Sequence, residues 1–167
     1  YVHSEKDILK LVTTLMTNTK GEGSGGDPFW EKSERLLLTA LIAYLHYEAP
    51  VEEQNFATLL EMLNTMQVLE DDEEYQNPVD LLFEELAKKK PDHPAVKAYQ
   101  RYRGGPDETI RSVIMTVNVR MQPFDNEELL EIFSSNDIPL DEFGVGIDGD
   151  KKTKSNLFII IPDDDDT

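Results

Sequence analysis

The feature that most constrains the fold is an apolar stretch from Leu36 to Leu45 that contains no charged residue. Its apolar side chains cover most of a helix circumference, so a helix here must be surrounded by other elements. The stretch is too short for a membrane helix, which needs about 20 apolar residues. The sequence therefore predicts a buried central helix, with Leu37 and Leu41 in the core of a soluble domain.

The start of this helix is marked by Asp27, Pro28, Phe29 and Trp30. An acid can cap the first turn, and proline is favoured at the first helical position because no backbone donor is needed there. We predict a helix from this point to about Tyr47. Trp30 is the only tryptophan, and we interpret it as a core anchor, with a surface hot spot for a partner as the alternative.

Further helices are predicted from apolar residues at spacings of three and four. Ser4 can cap the first helix, which runs to about Asn18. Asp125 and Glu128 form a capping pair for the last one. The segment 110–121 also alternates like a strand, but we predict a helix because no second strand is nearby to pair with it. The remaining helices are predicted over about 56–66 and 78–90, and after His93-Pro94.

From Gly144 the pattern changes to glycine and charged residues, followed by one strand over Leu157–Ile161 and an acidic tail. The predicted fold is mainly α, a helical bundle of about six or seven helices in residues 1–143. Residues 144–167 supply a turn, a short C-terminal strand and the tail. Because the chain starts at Tyr1 and stops just after an unpaired strand, we expect a fragment excised from a longer protein.

The chain has 34 acidic and 16 basic residues, a formal charge of −18. Such a charge repels nucleic acid at long range and favours basic protein partners. It is distributed unevenly, because residues 51–87 contain eleven acids and no lysine or arginine, whereas residues 88–122 contain eight bases and three acids. The candidate surface for a partner or for DNA is therefore formed by Lys88, Lys89, Lys90, Lys97, Arg101 and Arg103.

Two interpretations of this basic segment are open. Tyr99 and Tyr102 are interleaved with the cations and could stack on nucleic-acid bases. Alternatively, the segment neutralises the acidic helices of the same domain.

No complete catalytic, cofactor or metal site is predicted. The absence of cysteine excludes disulfides, thiolate zinc sites and cysteine nucleophiles. Gly21–Gly26 has the glycine spacing of a dinucleotide loop, but a helix precedes it and Asp27-Pro28 follows where a Walker loop has lysine and a hydroxyl residue. Asp148–Asp150 resembles the start of a calcium loop, but Lys152 and Lys154 occupy later positions and would repel the ion.

Several stretches resemble the type IV coupling proteins, the TraG/TraD-like ATPases of conjugation and type IV secretion, and the Gram-positive members in particular. They are Ser4–Val12, Asn18–Glu34 and Leu36–Tyr44. The helix start at Asp27-Pro28-Phe29-Trp30 is the most specific part. The ending Leu157–Asp163 also resembles the family, in which a strand returns the chain to the ATPase core.

The resemblance implies an all-α domain inserted into a RecA-like motor domain. The Walker A and B motifs of the family flank the insertion and are not present here, so the fragment is expected to have no catalysis or cofactor of its own. ATP and Mg²⁺ are expected only for the full-length protein, a membrane-anchored hexamer at the cytoplasmic face of the bacterial cell membrane.

The resemblance also implies the role of the inserted domain, which is to recognise substrates before transfer. The expected partner is a relaxase or a relaxosome accessory protein, with DNA bound weakly if at all. Two other functions are open from the sequence: a nucleic-acid-binding helical module that uses residues 88–122, and an enzyme fragment that still binds nucleotide.

Overall fold

A computed structural model describes residues 2–19, 28–66 and 77–134, together with Lys152, Asn156 and Phe158. The chain divides into two compact units, Tyr1–Ser134 and Ser135–Thr167. Within the described ranges there are seven α-helices and two short 3-10 helices, which confirms the prediction of a mainly α fold. The glycine loop, the calcium-like loop and the predicted strand lie outside the described residues, except for the exposed Phe158 of that strand.

The helix ends lie within a few residues of the predicted ones, and segment 110–121 is helical as predicted. The 3-10 helices span Val51–Glu53 and Gln122–Phe124. The α-helices are α1 Glu5–Asn18, α2 Pro28–Glu48, α3 Phe56–Thr65, α4 Pro78–Lys89, α5 Pro94–Arg103, α6 Asp107–Met121 and α7 Glu127–Ser134.

Polar side chains start most of these helices by accepting a backbone N–H of the first turn. Ser4 caps α1 as predicted, and its hydroxyl oxygen accepts from the N–H of Asp7. The predicted cap of α7 is wrong by one residue. The side-chain oxygen of Asn126 accepts from the N–H of Glu128 at 2.9 Å, whereas Asp125 closes the preceding 3-10 turn through its own N–H.

Helix α2 is the centre of the bundle and contacts α1, α3, α5 and α6. Leu37 and Leu41 are fully buried, which confirms the prediction for this helix. Trp30 is partly buried and packs against the core, while Phe29 beside it is half exposed. Within the described ranges no helix combines the length and the apolar character needed to span a membrane.

Helices α2 and α5 run antiparallel, and this pairing positions the predicted basic segment. At one end the ring of Tyr47 lies 5.4 Å from that of His93. At the other end Ser33 lines the same cavity as Arg101 and Tyr102. Lys90, which follows α4, binds Glu48 at the C-terminal end of α2, so the basic segment runs from that end of the central helix toward its N-terminal half.

Candidate partner interface on helices α4 and α5

The six predicted surface cations lie at the end of α4 and along α5, and all six are exposed. Lys88 and Lys89 occupy the last turn of α4, where positive charge is favoured by the helix dipole. Lys97 and Arg101 are four residues apart and therefore share one face of α5. Arg103 is the last residue of α5 and donates a hydrogen bond to Asp80 of α4.

Four of these six cations form ion pairs with carboxylates of the same domain. The pairs, with their N–O distances, are Lys89–Glu85 3.7 Å, Lys90–Glu48 2.7 Å, Lys97–Asp92 2.8 Å and Arg103–Asp80 3.0 Å. Lys97 donates a hydrogen bond to Asp92 and lowers the pKa of that carboxyl. Lys88 and Arg101 have no ion-pair partner within the described ranges. The basic segment thus neutralises acids of its own domain to a large extent.

The two tyrosines of the segment are buried and are not available for stacking on bases. The hydroxyl of Tyr99 donates to Asp80 at 2.7 Å, and that of Tyr102 donates to the carbonyl oxygen of Ile110 at 3.4 Å. Burial, above all, raises the pKa of both phenols far above the ordinary value, so both remain donors at neutral pH. This excludes the aromatic part of the predicted nucleic-acid surface.

A groove of about 220 Å³ lies between α4 and α5, beside Tyr99. The buried rings of Phe83 and Tyr99 lie at its bottom. They stack in parallel with centroids 3.8 Å apart. Asp80 and Arg103 form one wall, and the exposed Glu84 stands at the rim. We call this feature the α4–α5 groove. Neither of its acidic residues, Asp80 and Glu84, was among the site residues predicted from the sequence.

Almost the whole chain matches one known protein family. The family model for conjugative DNA transfer by the type IV secretory system matches residues 2–167. The chain belongs to this conjugative DNA transfer family. The resemblance to type IV coupling proteins is thereby confirmed. No curated protein and no solved structure matches the chain.

In this conjugative-transfer domain one cation of the basic segment is turned into the protein. Arg120 of α6 donates through Nε to Glu34 of α2 at 2.8 Å. Its Nη1 atom donates to the carbonyl oxygens of Met16 and Thr19 at the end of α1. Arg120 is one of the eight bases counted in residues 88–122 and was not included in the candidate surface, and in the structure it joins α1, α2 and α6.

A second contact between helices lies at the start of α5, where a histidine that can take up a proton caps the helix. The Nδ1 atom of His93 accepts from the N–H of Ala95, and its Nε2 atom lies 3.2 Å from Glu48. Nδ1 must therefore be unprotonated for the cap to form. Burial lowers the pKa of His93, Glu48 raises it and Lys90 lowers it, with a net decrease.

Proposed function

We propose that this domain recognises substrates for a conjugative coupling protein by docking a relaxase or a relaxosome accessory protein, alone or as protein–DNA cargo. The observation that carries the proposal is the internal neutralisation of four of the six candidate cations, in a chain with a formal charge of −18. A basic protein partner gains from such a surface through steering and complementary contacts, whereas DNA is repelled.

The burial of the tyrosines and of Arg120 supports the same choice. A single-strand-binding surface needs exposed rings between cations that reach phosphates. Within the described ranges, Lys88, Arg101 and Arg111 remain as bases of the segment without an ion pair. Three cations neutralise few phosphates, so the alternative function as a nucleic-acid-binding module implies only weak, salt-sensitive binding.

The proposal assigns no catalysis to these 167 residues. ATP and Mg²⁺ act, on this view, in the motor domain of a full-length, hexameric and membrane-anchored protein, with this domain at the cytoplasmic face. The support is the architecture of the family and the lack of a Walker A sequence in the chain. A saturable ATP site of micromolar affinity, measured by calorimetry on this chain, would refute this part of the proposal.

The test of docking is a set of titrations at near-physiological salt. The chain is titrated with the cognate relaxase, with its accessory protein, and with duplex and single-stranded DNA. We expect binding of one of the proteins that weakens as salt is raised, because exposed charge interactions are screened. For DNA we expect a dissociation constant no tighter than about 1 μM, the strong end of non-specific binding.

Two triple variants separate the protein-docking function from the DNA-binding alternative. One replaces Lys88, Lys89 and Arg101 by glutamine, and the control replaces the exposed Lys6, Lys10 and Lys32 of α1 and α2. Both change the net charge equally. Submicromolar DNA binding that the first variant abolishes and the control retains would favour the nucleic-acid module over the docking function.

A further inference from the structure

The α4–α5 groove combines an apolar bottom with a carboxylate that pairs with no cation among the described residues. Phe83 and Val96 are almost fully buried beneath it, and Ala87 leaves space above them because its side chain is a single methyl group. Glu84 of α4 and Gln100 of α5 are exposed, and both line the groove. This arrangement suits a side chain with an apolar stem and a polar head.

The two acids of the groove differ in how they are engaged. Asp80 accepts from the hydroxyl of Tyr99 through one oxygen and from Arg103 through the other. Asp80 and Arg103 therefore form a wall without net charge. Glu84, one turn further along α4, has no ion-pair partner among the described residues, and Lys88 one turn beyond it is not within pairing distance. The net charge of the groove is therefore negative and comes from Glu84.

The size of the groove restricts what can occupy it. Its volume of about 220 Å³ is below the roughly 300–1,000 Å³ of pockets that hold small molecules or cofactors. It is sufficient for a long side chain laid along the helices. Lysine and arginine place their methylene stems on apolar surface while the charged head remains in contact with water.

From these features we infer that the α4–α5 groove is the anchor site for an arginine of a basic protein partner. The methylene stem lies over Phe83, Ala87 and Val96, and the guanidinium pairs with Glu84. Arginine suits this site better than lysine because its planar head can bind a carboxylate through two parallel hydrogen bonds and an amide oxygen, here that of Gln100, with another donor. This inference rests on the proposed docking function and names the site and the chemistry that it recognises.

The experiment uses two 12-residue amphipathic peptides that differ at one position. The first carries a single central arginine flanked by leucines, and the second carries citrulline there, which has nearly the same shape without the charge. Both are titrated into the isotope-labelled chain and followed by NMR. We expect the arginine peptide to shift the amide signals of Glu84, Ala87 and Gln100, and to bind about 1.5 to five times more tightly than the citrulline peptide, the range of one exposed ion pair.

Three single variants locate the contact. Glu84→Gln is expected to remove the preference for arginine over citrulline. Glu85→Gln is the matched control, since it removes the same charge from the next residue, which pairs with Lys89 instead. Ala87→Met fills the groove without changing the charge and keeps a residue that favours helix, so it is expected to weaken both peptides.

The outcomes separate this inference from the docking function on which it rests. Equal losses in Glu84→Gln and Glu85→Gln, or an arginine peptide that leaves the groove signals unchanged, would overturn the anchor site. The docking function would still hold if the relaxase or accessory protein bound normally to Glu84→Gln. Conversely, loss of the arginine preference in Glu84→Gln alone, with a parallel loss of partner binding, supports both.

Discussion

Glu34 and Asp80 each pair with an arginine of another helix, but one pair lies inside the bundle and the other at the surface. The side chains of Glu34 and Arg120 are 4% and 16% exposed, whereas those of Asp80 and Arg103 are 21% and 41% exposed. The first pair joins helices inside the bundle. The second joins α4 to α5 at the surface and borders the groove.

The comparison teaches that burial, more than the residue types, determines what an ion pair does here. In the interior, removal of one partner leaves a charge that water cannot reach, so the remaining partner destabilises the fold. At the surface, water replaces the lost partner, and the pair contributes little to stability. The surface pair can therefore line a binding site without being needed for stability, whereas the buried pair is needed for the stability of the fold.

The largest expected effect is the loss of the buried carboxylate. Glu34→Ala leaves the largely buried Arg120 with only neutral acceptors, the carbonyl oxygens of Met16 and Thr19 and the Thr19 hydroxyl, and we expect the free energy of unfolding to fall by about 3–5 kcal/mol. Urea denaturation followed by circular dichroism measures it. A fall of less than about 1 kcal/mol would mean that solvent reaches Arg120 and that the buried pair contributes no more to stability than the surface pair does.

Two further variants sharpen this result. Glu31→Ala removes an exposed carboxylate of the same helix, which pairs with Arg35 at 3.7 Å, and we expect a loss below about 1 kcal/mol. Replacing both members of the buried pair, by Glu34→Leu with Arg120→Met, is expected to recover most of the stability, because no charge is then left unpaired. A double variant as unstable as Glu34→Ala would indicate a loss of packing instead.

The surface pair is expected to give a smaller effect with a specific cause. Asp80→Ala removes the acceptor of the buried Tyr99 hydroxyl, and we expect a loss of about 1–2 kcal/mol in the same urea assay. Most of that loss is assigned to Tyr99 and little to Arg103. Adding Tyr99→Phe should therefore restore part of the stability, whereas adding Arg103→Gln should change it by less than about 0.5 kcal/mol.

Most of the fold could be predicted from the sequence because its determinants are local. Apolar spacing gave the helices, and Ser4 gave the start of α1. The cap of α7 was misplaced because Asp125 and Asn126 are both good caps, and the 3-10 turn at Gln122–Phe124 decides between them. In this turn the ring of Phe124 packs on that of Phe56 of α3, a long-range contact that local spacing does not contain.

The joints and the groove could not be predicted in the same way. A signal for the buried pair did exist, since Glu34 precedes Leu37 by three residues and Arg120 follows Val117 by three, so each occupies the apolar face of its helix. That Glu34 meets Arg120, 86 positions away, depends on where α2 crosses α6. The α4–α5 groove likewise arises only when two helices pack, and Glu84 looks like any surface acid in the sequence.

The smallest expected effect concerns His93, whose Nε2 atom lies beside Glu48. The side chain of Glu48 is 19% exposed, between the values for Glu34 and Asp80. Because the folded pKa of His93 is lowered, the unfolded chain takes up its proton first as the pH falls below about 6.5. Stability is thus present at neutral pH and is lost as the pH falls through the folded pKa, by at most about 1.4 kcal/mol per pH unit.

His93→Asn isolates this contribution from the titration of the carboxylates. Asparagine retains the cap, as Asn77 demonstrates at the matching Asn-Pro start of α4, where its side-chain oxygen accepts from Val79 at 2.9 Å. We expect equal stability of the two proteins at pH 7 within about 0.5 kcal/mol and a shallower slope between pH 7 and pH 5 for the variant, which is therefore the more stable protein at low pH. Parallel slopes would show that His93 has the same pKa in the folded and the unfolded chain, because only a difference between the two links its protonation to stability.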